Sequence, residues 1–162
     1  MRIEPDHFRH VLGHLPTGVT VLTAHSPSGP VGMSANTVTS VSLDPPLILV
    51  CAAKSSETWP AIRAAGRFCV NVMGAHHEEH ARRFATRGLD RFEESVLSER
   101  AAGPALEDAI AWIDCELVAE HDGGDHTIAV CRVTALEPGP EREPLVFFRG
   151  RYGTFRSDAS AY

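Results

Sequence analysis

The stretch from Val31 to Ala52 limits the folds open to this chain more than any other segment. Val31 to Ser42 is a long run of small and β-branched residues, Asp44-Pro45-Pro46 breaks it, and Leu47 to Ala52 (LILVCA) is apolar at every position. β-Branched residues favour extended backbone, and an Asp-Pro pair favours a turn. A strand with no polar alternation needs cover on both of its faces. The segment therefore predicts one long strand, a turn, and a second strand packed on both sides.

The rest of the chain reads in the same terms. Phe8, Val11, Leu12 and Leu15 fall at helical spacing between Pro5 and Pro16, which predicts a short amphipathic helix at the start. Thr17 to Thr23 predicts a strand and Ser26 to Gly29 a turn. Trp59, Ile62 and Ala65 share a helical face, with Thr58 as its expected N-cap and Gly66 as its stop. Phe68 to Met73 alternates as a strand, Ala75 to Ala85 reads as helix, and residues 87 to 108 show no period. Ala111 to Ala119 alternates, with Ile113, Cys115 and Leu117 expected inside and Asp114 and Glu116 outside. Asp122-Gly123-Gly124-Asp125 has hairpin chemistry, Thr127 to Leu136 is the returning strand, and Leu145 to Phe148 is the last one. Six or seven strands with two or three short helices predict a mainly β fold, a closed or nearly closed β-barrel with peripheral helices, as a single domain over 1–162. A doubly wound nucleotide fold does not fit, because strands and helices do not alternate and no GxGxxG opens a helix.

Charge narrows the partners. Fifteen basic and 21 acidic residues give a net charge of −6, with Lys54 the sole lysine and no basic cluster, so a nucleic-acid surface is not expected. Cys51, Cys69, Cys115 and Cys131 stand far apart in apolar stretches without a CxxC pair, which reads as buried reduced thiols. No signal-peptide core opens the chain and no apolar run approaches membrane-spanning length, so a cytoplasmic protein is expected, with no membrane partner.

Three segments can carry chemistry. The strand through Ser34, Asn36, Thr37, Thr39 and Ser40 offers hydroxyl and amide groups beside small residues, which suits a flat polar ring; an exposed edge strand has the same composition. Lys54-Ser55-Ser56-Glu57-Thr58 joins a buried strand to a helix, where hydroxyls and one cation can seat a phosphate or simply cap the helix. Arg82 and Arg83 on the next helix can add charge. His76-His77-Glu78-Glu79-His80 departs from HExxH and lacks a third ligand at matching spacing, so no metal site is expected. His126 opens a strand after the Gly-Gly-Asp turn, and no nucleophile elbow accompanies it. Arg149, Arg151 and Tyr152 around Gly150 can grip an anionic nucleotide or merely end a sheet.

Taken in order, Thr17-Gly-Val-Thr-Val-Leu-Thr23, Ser34-Ala-Asn-Thr37, Ser40-Val-Ser-Leu-Asp-Pro-Pro-Leu47, Phe68-Cys-Val-Asn-Val72, Arg83-Phe-Ala85, Gly124-Asp-His126 and Phe148-Arg-Gly-Arg-Tyr152 resemble the short-chain NAD(P)H:flavin oxidoreductases. These are the reductase components of two-component flavin-dependent monooxygenases. The resemblance implies a homodimeric FMN-binding split β-barrel that reduces FMN or FAD with NADH or NADPH and passes the reduced flavin to a separate monooxygenase. It makes Met33, Ser34, Ala35, Asn36, Thr37, Thr39 and Ser40 candidates for the isoalloxazine and ribityl contacts, with Cys51, Ala52 and Ala53 lining the ring. Lys54, Ser55, Ser56 and Thr58 match the phosphate region, and Arg83 with Phe84 a further flavin contact. His126 and the run Phe148, Arg149, Gly150, Arg151 and Tyr152 match the region of the nicotinamide nucleotide, which makes His126 the candidate catalytic residue. The chain departs from the family at His77 and His80, where a Gln and an aliphatic residue are usual, and at Phe148, which is often Tyr. Two other readings remain open here: a flavoprotein oxidase acting directly on a small substrate, and a non-catalytic dimer that binds flavin or haem.

Overall fold

In the computed structural model, which describes residues 2–156, the extended segments pair into one large antiparallel sheet and two small ones. Met1 and residues 157–162, which the single-domain expectation includes, lie outside the described residues. The chain opens with α1 (Pro5–Leu12), β1 (Thr17–Gly18), β2 (Thr20–Ser26), β3 (Gly29–Ala35), β4 (Val38–Leu43) and β5 (Pro46–Ala53). Then come α2 (Trp59–Ala65), β6 (Arg67–Val72), a 3-10 turn (Ala75–His77), α3 (Glu78–Ala85), β7 (Leu97–Glu99) and β8 (Pro104–Leu106). The long hairpin β9 (Ala111–Gly123) and β10 (His126–Pro138) precedes β11 (Leu145–Phe148) and β12 (Arg151–Thr154).

The large sheet has the order β3-β2-β6-β9-β10-β5-β4. Its two edge strands are neighbours in sequence, joined by only Asn36 and Thr37, so the sheet curls until its edges approach. The Cys51 N–H donates to the Thr37 carbonyl at 3.3 Å and pins that crossing to β5. No ladder joins β3 to β4 among the described residues, so the barrel is split rather than closed. Val31 to Ser42 is therefore two strands on opposite edges, broken at Asn36-Thr37, where a poor strand former stands beside an exposed threonine. Thr17 to Thr23 divides too: β1 joins β11 and β12, while Val19 bridges between the sheets, its carbonyl accepting from Met73 N at 3.0 Å and its N–H donating to Leu145 O at 3.2 Å.

Period-two alternation gives β2 two cores. Leu22 and Ala24 face the barrel interior with Ile48, Val50, Phe68, Cys115 and Cys131; Val21 faces a second cluster with Met73, Phe84 and Leu145. The strand covered on both faces is thus β2. On β5 only Ile48, Val50 and Ala52 are buried, while Leu47, Leu49 and Cys51 are half-buried on the outer face. Trp59 and Ile62 of α2 close the interior, and the helix stops at Gly66, whose φ of 70° is left-handed. On α3, Ala81 and Phe84 pack over β3; a Cβ on Gly32 would stand 2.7 Å from the Phe84 ring, so glycine there permits the contact.

Two further corrections concern polar groups. Asp114 does lie on the outer face of β9, opposite Cys69, but it is 3% exposed rather than solvated, because Arg100 reaches over it from the 87–108 segment and pairs with it at 3.2 Å. That segment, aperiodic in sequence, contains the β7–β8 ribbon, and the buried Asn71 clamps it: its amide donates to Val21 O and Thr23 Oγ1 at 2.9 Å each, and its Oδ1 accepts from Leu106 N at 2.7 Å. Cys69, Cys115 and Cys131 are buried free thiols and burial pushes their pKa up, to about 12 for Cys69 and Cys131. Cys51 is half-buried. Among the described residues no helix is long and apolar enough to cross a membrane.

Candidate functional site

The register of β4, β5 and β10 assembles a surface from residues scattered in sequence. Thr39 stands opposite Leu49, Ile128 opposite Cys51, and His126 opposite Ala53. Paired residues share a face, so Thr39, Cys51, Ala53, Ile128 and His126 all look outward from the barrel wall. Ala35 and Ala52 are on the other side, buried in the interior, and Met33 lies at its rim. Ser40 pairs with Ile48 and leaves this surface.

The crossing Asn36-Thr37 links that wall to a second group. Ser34, Asn36 and Tyr152 line a cavity of about 190 Å³ with Val19, Ala85 and Phe147, between β3, the end of α3 and the small sheet. Arg82 lies over the Tyr152 ring, 4.6 Å from its centroid. Beyond it, Phe148, Arg149, Arg151 and Tyr152 line a larger open cavity of about 730 Å³ with Pro16 and Val146. Arg149 and Gly150 form the β11–β12 turn with φ of 51° and 75°, the pair of positive angles that a two-residue hairpin of this hand requires.

The loop after β5 differs from its expected construction. Thr58 stands at the N-cap of α2 as expected, but it has helical dihedrals (φ −94°, ψ −35°) and its hydroxyl bonds none of the first helix N–H groups. Ser56 supplies the capping hydroxyl instead, its Oγ accepting from Thr58 N at 3.3 Å and Trp59 N at 3.1 Å. The Thr58 hydroxyl accepts from Arg91, whose Nη1 also donates to Gly32 O at 2.8 Å. Arg87 donates to Ser55 O at 2.9 Å and pairs with Glu57 at 3.5 Å. Lys54 is ion-paired with Asp122 of the β9–β10 hairpin, which holds that carboxyl below its usual range. Sequence reasoning missed Arg87 and Arg91; they stand in the aperiodic segment, and neither spacing nor composition connects them to Ser55 or Thr58.

Phe84 is 1% exposed, locked between Gly32 and Phe92, so it supports β3 from behind. Arg83 beside it is held by Glu93 at 2.8 Å and Glu94 at 3.3 Å. His126 is 45% exposed and its Nδ1 lies 2.7 Å from Asp125 Oδ1, an arrangement that fixes the ring and lowers the Asp125 pKa. No described contact joins His126 to Arg149 or Tyr152 directly. Helix α1 borders both: Arg9 adds to the field on Asp125, and Gly13 O accepts from Arg149 N at 2.9 Å. His76 and His77 lie against each other with ring centroids 3.8 Å apart and planes tilted by 41°, and His77 meets His80 edge-on at 5.5 Å. Among the described residues no group of three or more His, Cys, Asp or Glu is placed to hold a metal.

The fold is thus a mainly β split barrel whose outward wall of Thr39, Cys51, Ala53, Ile128 and His126 ends at a loop that carries Lys54 and is reached by Arg87 and Arg91. The family profile described as "Flavin reductase like domain" matches residues 12–156, and the chain belongs to that family. It is 41% identical to the reductase subunit HsaB of a flavin-dependent monooxygenase from Rhodococcus jostii, over 96% of this chain and 80% of that protein. It is 40% identical to an NADH-dependent FAD reductase from Streptomyces globisporus, over 93% of this chain and 86% of that one. The solved structure of the Streptomyces globisporus NADH:FAD oxidoreductase SgcE6, in complex with NAD and FAD fragments, superposes with a TM-score of 0.89 at 37% identity and covers 98% of this chain and 99% of its own.

Proposed function

We propose that this protein is an NAD(P)H:flavin oxidoreductase that reduces FMN or FAD and releases the product to a separate flavin-dependent monooxygenase. The observation that carries the reading is the outward wall: β-register sets Thr39, Cys51, Ala53 and His126 on one face, and the Lys54–Thr58 loop with its cations begins at its end. The donor set fits a flavin phosphate. The Ser55 hydroxyl is exposed, Arg91 Nη2 has no described partner, and Lys54 retains N–H donors beyond its bond to Asp122. Small side chains at Ala53 and Cys51 leave room for a planar ring to approach the backbone.

When both cofactors are bound, they supply the chemistry, a hydride passing from the reduced nicotinamide to the flavin. The protein's part is orientation and field. Lys54, Arg87 and Arg91 neutralise the phosphate end, the β5 wall fixes the plane of the ring, and His126, oriented by Asp125, borders the place a nicotinamide would take.

Homodimerisation belongs to the same proposal. Helix α1, which ends at Leu12 rather than running on to Leu15, buries none of its residues; Phe8, Val11 and Leu12 are exposed on one of its faces, and Leu15 is exposed just beyond its end. Leu47 and Leu49, half-buried on the outer face of β5, are further apolar surface. A single chain gains nothing by exposing so much, whereas a second copy would cover it. A cytoplasmic site of action follows from the need for NADH or NADPH.

The test is anaerobic mixing of the purified protein with each flavin and each reduced nicotinamide. Loss of oxidised-flavin absorbance without any further organic substrate is the expected result. A chromophore that NAD(P)H does not bleach, or bleaching that requires a second substrate, overturns the reading.

A further inference from the structure

A second cavity, of about 390 Å³, opens beside the Lys54–Ser56 loop between α2 and the β9–β10 hairpin. Small-ligand pockets span roughly 300 to 1,000 Å³, so the volume suits a nucleoside rather than an ion. Its polar groups form two pairs of opposite charge. Lys54 donates to Asp122 Oδ1 at the edge shared with the proposed flavin-phosphate loop. At the other pair the exposed Arg63 donates from Nε to Glu120 Oε2 at 2.5 Å, and Glu120 Oε1 accepts from the buried Trp59 Nε1 at 3.3 Å. The Glu120 side chain is only 20% exposed, so two donors and its surroundings hold it in one place.

Both carboxylates keep acceptor capacity, and both cations keep N–H donors. The cavity thus offers acceptors for hydroxyl protons next to donors for phosphate oxygens. A free phosphate would use the cations but be repelled by the carboxylates; an apolar or cationic guest would waste one half of the set. A ribose 5′-phosphate uses all of it: the vicinal 2′- and 3′-hydroxyls donate to carboxylate oxygens, and the phosphate accepts from lysine and arginine. The exposed His121 and Pro60 give the base flat surfaces to lie on.

We propose that this cavity is a subsite for an adenosine 5′-diphosphate group with a free ribose 2′-hydroxyl, and that Glu120 and Asp122 reject a 2′-phosphate. The inference rests on the flavin-reductase reading for the identity of the base. Both NADH and FAD carry this group, so the subsite favours either NADH over NADPH or FAD over FMN.

Calorimetric titration of the full chain with ADP-ribose and with its 2′-phosphorylated form tests the chemistry without turnover. ADP-ribose is expected to bind about tenfold more tightly or better, and Asp122→Asn combined with Glu120→Gln to bring the two affinities together. Asp122→Asn alone, at an exposed position, should narrow the gap whether or not the double variant folds. Equal affinity in the native chain, or an unchanged ratio in the variants, overturns the proposal. The sources separate by kinetics: a collapsed NADH/NADPH preference with FMN as acceptor assigns the subsite to the nicotinamide nucleotide, and a collapsed FAD/FMN preference at fixed NADH assigns it to the flavin. If neither preference moves in a chain that reduces flavin, the subsite is refuted. A chain that reduces no flavin refutes the enzymatic reading, while the calorimetry still decides the subsite.

Discussion

His126 is the residue on which the proposed chemistry depends most directly. Its ring is oriented by Asp125 at 2.7 Å and stands outward beside Ala53, at the end of the wall opposite the barrel interior. It does not pack in a core, so Ala in its place removes a contact without opening a cavity. We expect His126→Ala to slow anaerobic flavin reduction roughly tenfold or to raise the nicotinamide Kd by that factor, with flavin affinity unchanged; an unaltered reductive half-reaction removes His126 from the mechanism. His77 makes the opposite case, a histidine important to the fold and remote from the wall. It is 6% exposed, its Nδ1 has no described partner, and burial, followed by the neighbouring His76 and His80, lowers its pKa from 6.5 to about 4. Between those two values the unfolded chain binds more protons than the folded one, so stability falls as pH drops from 6.5 towards 4 and is unaffected above. Thermal melts should show that decline, and His77→Gln should flatten its contribution; parallel curves for the two proteins would show that His77 is not its source.

At the scale of elements, the loop between β5 and α2 is held by residues far away in the chain. Arg91 ties Thr58 of that loop to Gly32 of β3, and Arg87 ties Ser55. Arg91→Ala should weaken FMN binding about tenfold, read by fluorescence quenching, because it removes both a phosphate donor and the brace that shapes the loop. Arg91→Lys, which keeps charge and loses the planar fork, should recover part of the affinity; full affinity in both variants would separate Arg91 from the site. This loop also shows where sequence stops being informative. The segment Lys54–Thr58 was legible because hydroxyls and a lone lysine follow an apolar strand, and the helix after it was legible from Trp59, Ile62 and Gly66. That Ser56 rather than Thr58 supplies the capping hydroxyl, and that two arginines brace the loop, were not, since side-chain capping depends on dihedrals and the brace on a fold-level approach. The same limit explains the strands. Local composition makes Val31 to Ser42 extended throughout, but only the order of the sheet decides that β3 and β4 must lie on opposite edges. The outward wall was therefore readable as residue types and, through the resemblance, as positions; that Met33 and Ala35 face inward while Cys51 and His126 face outward required the register.

The whole molecule poses one question that its parts do not: why a small acidic protein leaves its first helix unpacked. The helix has an apolar face, yet its Phe8 is 54% exposed and its Leu12 is 42% exposed. An amphipathic helix normally buries such a stripe, since isolated helices of this length are marginal in water and gain most of their stability from packing. Here α1 is tethered at its C-terminal end by Gly13 to Arg149 and by the edge contact of His14 with Phe148, 6.3 Å between ring centroids. It is held in position while its apolar side remains open, between the His126 hairpin and the Arg149–Gly150 turn. A second copy covering that side would place new side chains next to the clusters proposed above to face the nucleotides, which would link assembly to catalysis. We therefore expect the native protein to run as a dimer in light scattering at micromolar concentration, and Phe8→Glu combined with Leu12→Glu to shift it to monomer. The monomer should retain its circular dichroism, because neither side chain is buried in a single chain, and it should lose flavin reduction in proportion to dissociation. A native monomer, or a charged variant that stays dimeric, rules out α1 as the covered surface; a dissociated variant of undiminished activity shows that each chain holds a complete site.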